Sequence, residues 1–330
     1  MERWRRRALI TAAVLIAVLA LAWISGNRAP VDEIALATEK TGVPFEAKRL
    51  AVDGIELHVV LAGPSEGPKV ILLHGFPEFW YAWRGPLAVL ARAGFRVIVP
   101  DQRGYNRSAK PGERSAYRLD RLADDVAGLI EALGYEDACL AGHDWGGGVA
   151  WQTALRHPER VRRLAVLDTP HPGASEGYQS QDESISWYRS FILLPWIPEW
   201  AARIGNWKLL SNSLRATSLP DTFPERVMVQ FRTAWDREGA MSSMADWYRA
   251  NTEPLPLPGD GRISVPTLVL LAPGDVYIPS DLTRRSMRFL DAGRLHELQG
   301  VTHWAIQEEP DVIGGLLVEF FSATDELETP

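Results

Sequence analysis

Residues 137–156 read Asp137-Ala-Cys-Leu-Ala-Gly142-His-Asp144-Trp-Gly146-Gly-Gly-Val-Ala-Trp-Gln-Thr-Ala-Leu-Arg156. The first five look like the end of a buried strand and the last ten like a packed helix. Gly142-His-Asp-Trp-Gly146 lies between them as a sharp strand-to-helix turn that lifts its apex residue above a sheet. A glycine-rich turn with a helix-capping aspartate has the same letters; strand, turn and helix in this order favour the elbow. The apex residue then selects the chemistry. A serine attacking a carbonyl gives an acyl ester that water can cleave, whereas a serine attacking a saturated carbon gives an inert ether. A carboxylate attacking a saturated carbon gives an alkyl ester, whose carbonyl a water can open. Asp144 therefore points to covalent catalysis at an sp3 carbon bearing a leaving group.

The chain of 330 residues has room for one large α/β domain with an insertion. Its net charge of −7, with no basic stripe outside the N-terminus, argues against a nucleic-acid partner. Cys139 is the only cysteine, so no intramolecular disulfide forms, and it reads as a small apolar residue packed just before the elbow. At the N-terminus, Met1-Glu-Arg-Trp-Arg-Arg-Arg7 precedes an uncharged run from Ala8 to Ile24, interrupted only by Thr11. Such a run is at the short end of what spans a bilayer, and Arg3, Arg5, Arg6 and Arg7 assign that end to the cytoplasm. Ala20-Leu-Ala22 resembles a signal-cleavage site, which would give a secreted protein. The long bulky run and Trp23 beyond the site favour an uncleaved anchor over residues 1–26, with membrane lipid as partner of residues 8–24 and the catalytic domain on the outer side.

Residues 27–45 read as a tether with a short amphipathic helix at 31–40. Residues 46–62 alternate as two strands joined at Asp53-Gly54. Short apolar runs at 70–73, 96–99, 164–167, 267–271 and 294–298 are separated by helical stretches at 117–133, 147–156 and 304–323. This is the rhythm of a parallel sheet covered on both faces. Between Thr169 and Gly261 the rhythm gives way to a stretch rich in Trp, Pro and Tyr with no clear strand, read as a helical insertion. The expected core is 46–168 with 262–330.

In enzymes built on such an elbow the acid and then the histidine follow the nucleophile along the chain. His303, between the last strand and last helix, is the expected base that activates water. Asp275, in Pro273-Gly-Asp275 after the penultimate strand, is the expected acid that orients it, with Asp168 as its rival. The loop after the strand at 70–73, His74-Gly-Phe-Pro77, and the residue after the nucleophile supply two backbone N–H donors for an oxyanion, those of Phe76 and Trp145.

His74-Gly-Phe-Pro-Glu-Phe-Trp-Tyr-Ala-Trp-Arg84, Asp101-Gln-Arg-Gly-Tyr-Asn-Arg-Ser108, Gly142-His-Asp-Trp-Gly-Gly147 and His303-Trp304 together closely resemble the α/β-hydrolase-fold epoxide hydrolases, over roughly residues 46–322. With the N-terminal run, the chain is most similar to the membrane-anchored members. The resemblance implies an α/β-hydrolase fold, a mostly parallel sheet flanked by helices, with the 169–261 insertion after the sixth strand as a helical lid. It also implies that Tyr188 and Tyr248, in Trp187-Tyr188 and Asp246-Trp-Tyr248-Arg249, are the two lid tyrosines that hold the epoxide oxygen. A phenol, with a reference pKa of about 10, donates to a developing alkoxide and stays protonated at neutral pH. His74, Pro77, Trp187, Phe191 and Trp304 are expected around the pocket. An apolar lid (Trp187, Phe191, Leu193, Leu194, Trp196) points to a small apolar epoxide, with water as co-substrate and no cofactor or metal. Three positions depart from the family pattern: Asn106 and Ala272 where glycine is usual, and Asp168 where asparagine is frequent.

Haloalkane and haloacetate dehalogenases share the Asp-His-Asp logic but must solvate a halide. Trp145 offers one N–H donor for that, while Phe76 has no side-chain donor and two lid tyrosines have no use. Gly173-Ala-Ser175-Glu-Gly177 matches the serine-esterase elbow by letters, without a strand before it. A non-catalytic anchored binding module is the remaining class, and the intact Asp144, Asp275 and His303 argue against it.

Overall fold

The computed structural model describes residues 32–176 and 186–323, with the side chains of Ser186 and Trp187 outside that description. The apolar run at 8–24 also lies outside the described residues. Among the described residues, no helix is long and apolar enough to cross a membrane.

Eight strands form one sheet: β1 (Glu46–Val52), β2 (Ile55–Ala62), β3 (Lys69–Leu73), β4 (Arg96–Pro100), β5 (Ala138–His143), β6 (Val161–Leu167), β7 (Thr267–Leu271) and β8 (Gly293–Glu297). Their order is β1-β2-β4-β3-β5-β6-β7-β8. β1 and β2 pair antiparallel with each other, and β2 antiparallel with β4; from β4 to β8 every pairing is parallel. The β1–β2 turn places both Asp53 and Gly54 at positive φ, as a two-residue hairpin requires. The central strands β3, β4, β5 and β7 are buried almost throughout, which is why they read as continuous apolar runs rather than alternating ones.

Around the sheet lie α1 (Glu33–Thr41), α2 (Arg84–Arg92), α3 (Leu119–Ala132), α4 (Trp145–Arg156), α10 (Ser280–Arg285), α11 (Ala305–Glu308) and α12 (Pro310–Ser322). Among the described residues, five further helices fall between β6 and β7: α5 (Ser186–Ile192), α6 (Ile197–Arg203), α7 (Lys208–Ala216), α8 (Glu225–Trp235) and α9 (Ala240–Ala250).

The structure corrects the sequence reading in two places. Part of the stretch expected as a tether belongs to the folded body: Ala37 and Val43 are buried, and Glu33 takes the Arg107 guanidinium at 2.9 Å. The last helix, expected unbroken over 304–323, is interrupted at Glu309, because Pro310 has no N–H to continue the ladder and begins a new helix instead.

Candidate active site

The elbow forms where the chain leaves β5 and enters α4. Asp144 has φ +51 and ψ −124, a conformation in which a non-glycine residue is strained. Its neighbours must be glycine for want of room. A Cβ on Gly142 would stand 2.2 Å from the Gly146 carbonyl oxygen, and a Cβ on Gly146 2.2 Å from that of Leu73. The turn is tied back by Thr169, whose hydroxyl donates to the Asp144 carbonyl at 2.8 Å. The carboxylate sits at the N-terminus of α4, where the helix dipole favours negative charge.

The Asp144 carboxylate is held on both oxygens. Oδ1 accepts from the Phe76 backbone N–H at 2.8 Å, and Oδ2 lies 3.7 Å from His303 Nε2. The Phe76–Pro77 bond is cis. The Trp145 N–H opens α4, a position with no intrahelical acceptor. His303 Nδ1 contacts Asp275 Oδ2 at 2.7 Å, while Asp275 Oδ1 accepts from the N–H groups of Tyr277 (2.6 Å) and Ile278 (3.1 Å). Burial by itself would lower the His303 pKa, but Asp275, Asp144 and Asp168 outweigh it and raise it to about 10.

Asp168, the rival acid, is differently placed. Its Oδ1 accepts from the Ala272 N–H at 2.7 Å, and Oδ2 has no hydrogen-bond partner among the described residues. Burial first, then the charge of Asp275, pushes its carboxyl well above the usual carboxylate range. His143, Asp168 and His303 bring one ligand-type atom each to within 4.8 Å of one another. These donors are already engaged: His143 Nε2 bonds the His303 carbonyl at 2.8 Å, and His303 Nδ1 is on Asp275. A metal there would have to displace one of the His143 contacts, since its Nδ1 also meets Glu78 at 3.2 Å.

Above the carboxylate lies a cavity of about 550 Å³ lined by Asp144, His303, Phe76, Pro77, Tyr188, Phe191, Tyr248 and Trp304, with further residues of α6 and α7. Tyr188 and Tyr248 stand edge to face, ring centroids 6.4 Å apart. Burial raises the pKa of both phenols, that of Tyr248 strongly. Arg189 Nε donates to the Tyr188 oxygen at 3.2 Å, and the Trp145 ring meets the Tyr248 ring edge to face with centroids 4.9 Å apart.

Two expectations about the pocket change. His74 is fully buried beneath the site, where its Nε2 accepts from the Gln102 N–H at 3.1 Å; it shapes the loop and does not line the cavity. Leu193, Leu194 and Trp196, in the connection between α5 and α6, are exposed and do not line the cavity. Ser175 ends a 3-10 turn and donates to the Pro172 carbonyl at 2.9 Å, away from any elbow.

Sequence reasoning missed the groups under His303. Glu78 meets His143 Nδ1 at 3.2 Å and accepts from Gln307 at 3.1 Å, while Arg84 donates to Gln307 at 2.7 Å, a buried chain that fixes the histidine loop. Burial opposes the Glu78 charge, yet His143 and Gln307 hold its carboxyl below the usual range. Tyr277 was missed as well. Its ring lies edge-on to His303 at 5.0 Å and walls the cavity, and its place two residues after the acid was the available signal.

A mostly parallel sheet, helices on both faces and a nucleophile elbow after the fifth strand define the α/β-hydrolase class, and the chain belongs to this family, whose alpha/beta hydrolase fold profile matches residues 68–310. Among its relatives, an AB hydrolase superfamily protein of Bacillus subtilis, YfhM, is 36% identical over 272 residues, covering 81% of this chain and 95% of that one. Human epoxide hydrolase 4 is 33% identical over 284 residues, covering 82% of this chain and 77% of that one. The crystal structure of epoxide hydrolase A from Mycobacterium thermoresistibile superposes with a TM-score of 0.70 at 25% identity, over 84% of this chain and 98% of that one.

Proposed function

We propose that this protein is an epoxide hydrolase that opens an apolar epoxide to a vicinal diol through an alkyl ester on Asp144, without a cofactor. One observation carries the reading: a carboxylate faces two phenols across a single apolar cavity, with a carboxylate-paired histidine beside it.

Asp144 Oδ2 attacks one ring carbon, the C–O bond breaks, and the alkoxide takes a proton from Tyr188 or Tyr248. Esterification removes one of the negative charges that keep His303 protonated. His303, oriented by Asp275, then sheds its proton, which restores the phenol that protonated the alkoxide, and becomes the base that draws a proton from water. The hydroxide adds to the Asp144 carbonyl carbon, and the N–H groups of Phe76 and Trp145 hold the oxyanion. Collapse releases the diol and restores the carboxylate. In this reading α5–α9 form the lid over the site, and residues 8–24 anchor the chain in a membrane.

The dehalogenase alternative needs the Trp145 indole for halide. Here the indole packs edge to face on the Tyr248 ring at 4.9 Å, and two phenols line the cavity with Asp144, which supports the epoxide instead.

The test is incubation with styrene oxide in 18O-water, with mass analysis of diol and protein. Diol formation with label entering Asp144, both abolished in Asp144→Ala, is expected. Halide release from an alkyl bromide without any diol would transfer the protein to the dehalogenases.

A further inference from the structure

α6 has two faces with different surroundings. Pro198 and Ala202 turn inward and line the substrate cavity. Trp200 within the helix turns outward, and Trp196 and Ile204, which flank its two ends, are exposed as well, at 66%, 71% and 53% respectively. Leu193, Leu194 and Leu209 are also exposed beside them, and Leu209 lines the cavity too, so the apolar surface runs from solvent into the site. Scattered exposed apolar residues are ordinary, but six within 17 residues that include two tryptophans are a patch.

The charge around the patch narrows the occupant. Residues 186–219 contain Arg189, Arg203, Lys208 and Arg215 against the single acid Glu199, with Arg215 paired to Glu225 at 3.0 Å. Glu199 is paired with Arg249 at 2.7 Å, while Arg203 and Lys208 are exposed at the patch edge. Tryptophan with a rim of basic side chains suits the boundary between headgroups and acyl chains, where the indole is half buried and the cation meets lipid phosphate. A second protein surface would meet this acidic chain without that phosphate layer.

We propose that the outward face of α6, centred on Trp196 and Trp200, docks on an anionic phospholipid surface, so that the cavity behind it takes up epoxides dissolved in the bilayer. This deepens the epoxide-hydrolase reading by naming the phase that delivers the substrate.

The experiment uses the full-length chain reconstituted in vesicles of phosphatidylcholine and phosphatidylglycerol that carry brominated acyl chains. Bromine quenches only tryptophans that touch lipid. Trp196→Gln/Trp200→Gln is expected to reduce the quenchable fluorescence by about two of the 13 tryptophans. Arg203→Glu/Lys208→Glu is expected to reduce it in these vesicles and to change it little in phosphatidylcholine alone. For the tryptophan variant, kcat/KM on a long-chain alkyl epoxide held in the bilayer should fall about tenfold, with hydrolysis of a water-soluble epoxide unchanged. Equal quenching in wild type and variant overturns the proposal. So does a concentration-dependent dimer, seen by cross-linking, that the variant abolishes, since a second copy would then cover the face. A wild type that opens no epoxide would refute the proposed function, and the quenching would still decide the docking.

Discussion

Asp275 and Asp168 lie beside the same histidine with different hydrogen bonds. Asp275 accepts three; Asp168 keeps one oxygen without a partner among the described residues, and burial, with Asp275 beside it, favours its protonated form. A protonated carboxyl and an amide are nearly isosteric, so Asp168→Asn should leave kcat within about threefold of wild type, whereas Asp275→Asn should lower it by about 10³–10⁴. Steady-state kinetics at neutral pH decides between them, and the reverse ranking would move the orienting role to Asp168. The His303 charge has a stability consequence. Its pKa rises from 6.5 to about 10 in the fold, so its contribution is complete below about 6.5 and is lost as pH climbs toward about 10. Thermal melts across that window should show the advantage of wild type over His303→Gln shrinking with rising pH; a constant gap would contradict the ion-pair account.

At the scale of the element, the elbow helix separates two glycines that look alike in sequence. A Cβ on Gly146 would meet backbone atoms of Leu73 at 2.2–2.5 Å, whereas one on Gly148 finds only a Leu119 methyl at 3.7 Å. Gly146→Ala must therefore move β3 or α4 and should cost roughly 3 kcal/mol or more. Gly148→Ala should raise stability by about 0.5–1 kcal/mol through helix propensity alone. Urea unfolding of the two variants measures both signs. Asn106 shows the same principle at a loop. At φ +37 its amide donates to Asp101 Oδ2 at 2.9 Å and accepts from Arg237 at 2.6 Å, so asparagine occupies a left-handed position where the family usually has glycine.

Across the whole molecule, the helices between β6 and β7 are pinned to the core mainly through α9. Asn251 accepts from the Leu119 N–H and donates to the Tyr117 carbonyl, both at 2.9 Å; Trp247 Nε1 donates to the Arg103 carbonyl at 3.0 Å. These bonds flank Tyr248, so the insertion and the nucleophile are positioned relative to each other through them. Asn251→Ala leaves two backbone groups without partners and should cost about 1–3 kcal/mol, with a fall in kcat as Tyr248 loses its setting. Replacing Glu225, whose partners are Arg215 and Arg232 at the surface, should change stability by less than about 1 kcal/mol. Calorimetry and kinetics on the two variants separate the anchor from the decoration.

The order of elements, the elbow, and the identities of Asp144, Asp275 and His303 were legible from residues alone, because strand and helix periodicity and the steric demand of a tight turn act over a few neighbours. The tyrosine pair was legible only through family resemblance. The Glu78 chain was not legible: it joins residues 65 and 229 positions apart, and nothing local marks a buried glutamate that will meet a histidine. Nor was the exposure of Leu193, Leu194 and Trp196, which lie in the connection between α5 and α6, where no periodicity states which side chains are buried. The sequence by itself placed Asp144 at the apex of a strand-to-helix turn, where a carboxylate points to attack on a saturated carbon. The tertiary structure alone decided how each acid is hydrogen-bonded and which apolar side chains line the cavity, because contacts and burial are set by groups that only folding brings together.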